Sequence, residues 1–365
     1  MGECLIVRRG GQAYKLPVLN PAYPQDVTIV ASANGSATFG VAISEPGNPA
    51  EYTYKWYMGG SVIAGATGAS VTISGLTAAQ TTTVYCEVTN KAGTVTSRVA
   101  ALTVRDWKPA YTYTGNHQLL DDGNYNWRIR FLTSGTLTFT SLGNGASGID
   151  VFCVGGGGGG CGGRRDGGAG GGGGGGGYTR TTTGVAAQMN TGYAVVIGGG
   201  GSPGYDSTLA AGNGGNTSAF GVVAGGGGAA AVQPYASGHG GNGGSGGGAG
   251  GQRFNEMNGG SGGSDGGNGG RDSKNEGVAG TGQGSTTREF GYAGGTLYAG
   301  GGGGAGSLTN APGGAGGGGA GAREINTAYS SNGATNTGGG GGGNFFTNTG
   351  TGYGGSGIVV IRNHQ

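Results

Sequence analysis

Apolar and polar residues alternate through the first third of the chain, and the alternation marks short strands. Ala37, Phe39, Val41 and Ile43 occupy every second position, as do Tyr52, Tyr54 and Trp56. Val71 with Ile73, Val84 with Cys86 and Val88, and Val99 with Leu102 and Val104 continue the series. Short runs of this kind, separated by Gly, Asn and Ser, predict an all-β sandwich over residues 26–105. Residues 1–25 precede it as an arm, with two apolar pieces around Gly10 and Gly11 and an exit punctuated by Pro17, Pro21 and Pro24. Residues 106–115 read as a linker. A second β pattern follows: Ile129, Phe131, Leu137 and Phe139 alternate, whereas residues 149–154 and 358–361 are short apolar runs of buried-strand length.

About two hundred residues separate the strands of this second set, and they hold most of the 101 glycines in the 365-residue chain. Uninterrupted runs occupy 155–160, 170–177, 225–228, 301–304, 316–319 and 338–343. Two readings stay open. Glycine has the largest backbone entropy to lose, so a flexible linker is the default. The alternative is a bundle of packed polyproline-II-type glycine helices, three residues per turn, whose bare backbones exchange hydrogen bonds with neighbours. Collagen is excluded, because it needs abundant Pro and the chain has 9. The bundle is favoured by the scarcity of charge and by the strands at both ends, which must meet in one fold. Residues 116–365 then form one β-domain with residues 155–357 as an insertion. Gly-Gly-X pieces fit helices with one outward face.

Charge and chemistry narrow the function. The formal net charge of +2 gives no bulk attraction to nucleic acid or to an anionic membrane. No apolar run is long enough to span a bilayer, and the first residues lack a signal-peptide core, so synthesis in a cytoplasm is expected. Cys4, Cys86, Cys153 and Cys161 match no zinc spacing. Cys153 and Cys161 could pair if the chain doubles back, or all four could be buried free thiols. His117, His239 and His364 are scattered, Asp121-Asp122-Gly123-Asn124 lacks the rest of a calcium loop, and no paired carboxylates can be assigned. No enzymatic activity, cofactor or metal is expected.

Two resemblances follow from these residues. The pieces SATFGVAIS, YTYKWYMGG and VYCEVTNKAGTVTSRVAALTV resemble a bacterial or phage immunoglobulin-like domain. The resemblance implies Trp56 as the core Trp and Cys86 at the second disulfide position, with Val41 at the first, so that no inter-sheet disulfide forms. The pieces FLTSGTLTF, IDVFCVGGGGGG, YAVVIGGGG, LYAGGGGGAG and GGSGIVVIR resemble the glycine-rich domain of phage tail-fibre and tail-tip proteins. The framework is also similar to the β-sandwich with glycine-helix insertions in the extracellular region of anaplastic lymphoma kinase. It resembles, too, the tip adhesins of T4-like long tail fibres. The implied fold is an immunoglobulin-like sandwich followed by a sandwich or jelly-roll-like domain with an inserted polyglycine-helix bundle.

The implied role is a virion tail adhesin that recognises a bacterial surface receptor, protein or glycan. The arm would join other tail proteins, and the chain could form a homo-oligomer such as a trimer. The alternative is a structural spacer or decoration protein of the virion. Aromatic and Arg residues interrupt the glycine runs among Asn and Ser, the composition of recognition surfaces. The candidate receptor-binding residues are Tyr235, Arg253, Phe254, Arg288, Phe290, Phe345 and Phe346. The competing reading is that these aromatics simply cover the bundle ends.

Overall fold

The computed structural model describes residues 6–9, 12–31, 34–123, 126–143, 146, 148–163, 170–205, 209–231, 238–251, 261, 267–271, 288–306, 311–322, 329–345 and 351–364. The protein is all-β. Among the described residues the helical structure is limited to one 3-10 turn, Glu289–Gly291. The chain divides into two units, Met1–Pro109 with Gly143–Gly145, and Ala110–Leu142 with Ala146–Gln365.

The first unit holds β1 (Ile6–Arg9), β2 (Gln12–Lys15), β3 (Val18–Leu19), β4 (Val27–Val30), β5 (Ser36–Gly40), β6 (Ile43–Glu45), β7 (Thr53–Met58), β8 (Ser61–Val62), β9 (Ser70–Ser74), β10 (Gln80–Asn90), β11 (Gly93–Thr96) and β12 (Ala100–Arg105). Its main sheet runs β4-β12-β10-β7-β8, with β11 also on β10. The β5–β9 pair shares one core with it. Phe39 and Val71 pack with Trp56, Val84, Cys86, Val88, Leu102 and Val104. Trp56 faces Cys86 in register across β7 and β10, and both are fully buried. The Cys86 thiol is free, and burial pushes its pKa up to about 11. Two sequence assignments shift. Val99 is 54% exposed, because side chains alternate and the inward set of β12 is Ala100, Leu102 and Val104. Val18 and Leu19, assigned to the arm, pair with β6.

The second unit holds β13 (Ala110–Tyr113), β14 (His117–Gly123), β15 (Asn126–Phe131), β16 (Gly135–Ser141), β17 (Ile149–Val154), β18 (Thr179–Val185), β19 (Gly192–Val196), β20 (Thr217–Ala219), β21 (Val222–Ala224) and β22 (Ile358–Asn363). They form two antiparallel five-stranded sheets, β13-β16-β19-β20-β21 and β14-β15-β22-β17-β18. Ala110–Tyr113, assigned to the linker, is therefore a strand: the Tyr113 ring packs at a tilt on Phe131, with centroids 4.6 Å apart, anchoring it to this unit. Trp127, Ile129 and Phe131 of β15 point to the first sheet, where Trp127 meets Phe139. Cys153 and Cys161 are free and buried; they do not pair.

Between the strands lie the glycine segments, which follow a period of three. Gly155, Gly158 and Cys161 donate their N–H groups to the carbonyls of Tyr178, Gly175 and Gly172. Gly156 and Gly159 donate to Gly215 and Gly212, and Gly157 and Gly160 to Gly355 and Gly352. Three more segments donate back: Gly227 and Ala230 to Gly156 and Gly159, Gly201 and Gly204 to Gly157 and Gly160, Gly341 and Asn344 to Gly158 and Cys161. Residues 155–161 are thus surrounded by six neighbours, three antiparallel that accept and three parallel that donate. A Cβ at any of Gly155 to Gly160 would overlap a carbonyl oxygen of a neighbour. Six glycines in succession are required because backbones touch on every side. Cys161 keeps the period: Cβ atoms on Gly155 and Gly158 would strike Gly225 and Gly228, and its Sγ reaches the Ala231 carbonyl, three residues further on. The fully buried backbone is paired in this way, as it must be.

Candidate functional site

The glycine segments run between two ends. One end is the sheets: residues 155–161, 198–204 and 225–231 leave β17, β19 and β21, while residues 170–178, 211–216 and 351–357 lead into β18, β20 and β22. The other end is knit by lateral hydrogen bonds. Gly162 donates to Gly204, Gly171 to Asn344, Gly170 to Gly251, Gly251 to Ala305, Gly250 to Gly238, Gly321 to Ala311 and Ala322 to Gly343. The described residues that flank stretches 164–169, 206–208, 232–237, 307–310, 323–328 and 346–350 all lie there, and the chain enters 252–260 from there. Of the residues singled out in the sequence, Tyr235, Arg253, Phe254 and Phe346 belong to these stretches and lie outside the described residues. Phe345 is described at the same end, where its side chain is buried, at 5% exposed.

Arg288 and Phe290 lie elsewhere, against the outer face of the second sheet. On β15 the inward Trp127, Ile129 and Phe131 alternate with Arg128 and Arg130, which face out. Arg128 lies directly across from Arg362 of β22, and Arg362 directly across from Asp150 of β17. Two facing guanidinium groups repel, and carboxylates surround them. Arg128 donates from Nε and Nη2 to Asp122, at 2.5 and 2.7 Å, and from Nη1 to Glu289. Arg130 donates from Nε and Nη2 to Glu289, at 2.9 and 2.6 Å. Arg362 donates from Nε to Asp150 at 2.9 Å.

Glu289 is the pivot of this cluster. It is 2% exposed, and the Tyr298 hydroxyl also donates to it. Burial, then the bond to Glu289, raises the pKa of that phenol. Burial alone would push Asp150 up, but bonds from the Gly184 N–H, Arg362 and His364, with the Arg362 charge, outweigh it and hold the carboxyl below its usual range.

The turn that delivers Glu289 accounts for both singled-out residues. Arg288 donates from Nη1 to the Gly295 carbonyl at 2.6 Å, closing the 288–295 loop. Phe290 adopts a left-handed φ of 54°, which turns its ring onto Phe152 at 6.0 Å and under the Arg362 guanidinium at 4.3 Å. Both therefore hold this loop on the sheet, and Phe290 is not a free anchor. A cleft of about 400 Å³ opens beside them, lined by Arg130, Arg362, Phe290, Tyr292 and Gly295. The charged row was missed in the sequence; its signal was two Arg set between the three apolar residues of a buried strand.

The fold and its contents define a class: an all-β scaffold whose second unit is extended by a packed insertion of glycine. The chain belongs to the glycine-rich domain family, whose sequence pattern matches residues 132–364. No curated protein matches it.

Proposed function

We propose that the protein is a bacteriophage tail adhesin that recognises the host surface through the connections at the far end of its glycine scaffold. One observation carries this reading: the stretches holding Tyr235 and Phe346, and the start of the one holding Arg253 and Phe254, depart from segment ends cross-linked to one another. Where neighbouring connections present one surface, a few aromatic or Arg anchors dominate its binding. A fixed scaffold also lowers the entropy cost of binding.

The finer fold follows the same reading. The glycine segments are polyproline-II-type helices, supported by their period of three and their six-fold neighbourhood. The first unit is immunoglobulin-like, supported by the buried Trp56 facing Cys86. The arm joins other tail proteins, and the chain works in the virion, without a cofactor and without nucleic acid, as a monomer or homo-oligomer.

The test is binding of the labelled protein to candidate bacterial hosts. Replacing residues 232–237, 252–260 or 346–350 by Gly-Ser should lower cell binding about tenfold or more, the loss of one hot spot. Binding that survives all three replacements, or that maps to residues 26–105, removes this assignment. Absence of binding to every host leaves the structural spacer.

A further inference from the structure

Every carboxylate oxygen in the charged row is already engaged. Both oxygens of Asp122, Glu289 and Asp150 already accept bonds from Arg, Tyr, His or backbone donors. The guanidinium groups are not fully engaged. Among the described residues, Nη1 of Arg130 and both Nη atoms of Arg362 have no hydrogen-bond partner. The cleft, which Asp122 and Glu289 also line, therefore holds unpaired donors beside carboxylates that are already engaged. Arg362 is also fixed in place: Nε is held by Asp150, and the plane rests on the Phe290 ring. Its free Nη1–Nη2 edge is a fork that matches the two oxygens of a carboxylate. At the rim of the same cleft Tyr292 is 71% exposed, with one edge of its ring over Gly294 and the rest open to solvent.

We propose that this cleft binds a carboxylate-bearing saccharide, with Arg362 and Arg130 taking the carboxylate and Tyr292 stacking on the sugar ring. The site is separate from the far-end connections and does not depend on the adhesin reading.

The test uses the full chain and four probes: glucuronic acid, glucose, acetate and inorganic phosphate, titrated by calorimetry or NMR at low salt. Glucuronic acid should bind about tenfold more tightly than glucose or acetate, since both contacts are needed. Tyr292→Ala, at an exposed position, should leave the thermal midpoint in place and weaken glucuronic acid about tenfold, to the level of acetate. Arg362→Lys keeps the charge and loses the fork, and should weaken it about tenfold. Phosphate binding as tightly as glucuronic acid would show a bare anion site and overturn the saccharide. So would an unchanged affinity in Tyr292→Ala. No saturable binding of glucuronic acid would overturn the site.

Discussion

At the scale of single residues, glycine does two different things under one letter. Gly173 lies inside the scaffold, where an added Cβ would overlap the Gly302 carbonyl. Gly199 is also within a run, but its Cβ position meets nothing within 4 Å. Gly173→Ala should therefore destabilise the second unit by about 1–3 kcal/mol, the usual cost of overpacking. Gly199→Ala should be neutral or stabilise by about 0.4–1 kcal/mol through the unfolded chain. Urea unfolding of the two variants checks this, and equal losses would contradict it. The interrupting residues have a comparable role. Asn213 and Asn216, three apart, accept the N–H groups of Ala229 and Gly226 at 2.8 and 3.1 Å. Asn332 accepts from Tyr353 at 2.9 Å. On an outer segment a side-chain carbonyl stands in for the backbone neighbour that is missing. Part of the Asn in the glycine region, which in sequence resembles recognition chemistry, is accordingly scaffold.

At the scale of elements, strands were legible where apolar residues alternate or run together, and the short β20 and β21, buried on one face, were not. The alternation in β15 and β16 and the apolar runs of β17 and β22 stand in the sequence as they do in the structure. What was not legible is where a side chain between glycines points, since Arg288, Phe290 and Phe345 share their composition with exposed loops. Their placement is set by distant register: Glu289 finds Arg128 and Arg130 about 160 positions away, and no local pattern encodes that. Ala110–Tyr113 escaped for the opposite reason, as a flanking Pro and few apolar residues hide a strand that is held by its aromatic rings. The Glu289 contact has a measurable weight. Removing one partner of a buried ionic cluster leaves the others unpaired, so Glu289→Ala should cost about 3–5 kcal/mol. The guanidinium groups are partly exposed, at 27% and 25%, so the lower part of that range is expected. Denaturant titration followed by Trp127 fluorescence, in a background with Trp56 and Trp107 replaced by Phe, measures it; a loss below about 1 kcal/mol, the level of a surface pair, would refute a docking role.

At the scale of the whole molecule, the second unit is organised around β22. This strand lies in the middle of its sheet, hydrogen-bonded to β15 on one side and to β17 on the other. Deleting residues 358–363 should leave the second unit open to protease while the first remains resistant, and limited proteolysis with mass spectrometry would show it. A resistant second unit after that deletion would mean that β15 and β17 can pair with each other. The position of β22 also bears on how the protein is made. Val154 leaves the ribosome about two hundred residues before its partner Ile358. At typical synthesis rates of about 5–20 residues per second, that is a delay of roughly 10–40 s. Throughout it β15 and β17 wait with unpaired edges, which are templates for association with other chains. On a polysome, where sister nascent chains are crowded together, the interval before β22 arrives is when this protein is most exposed to aggregation and to chaperones.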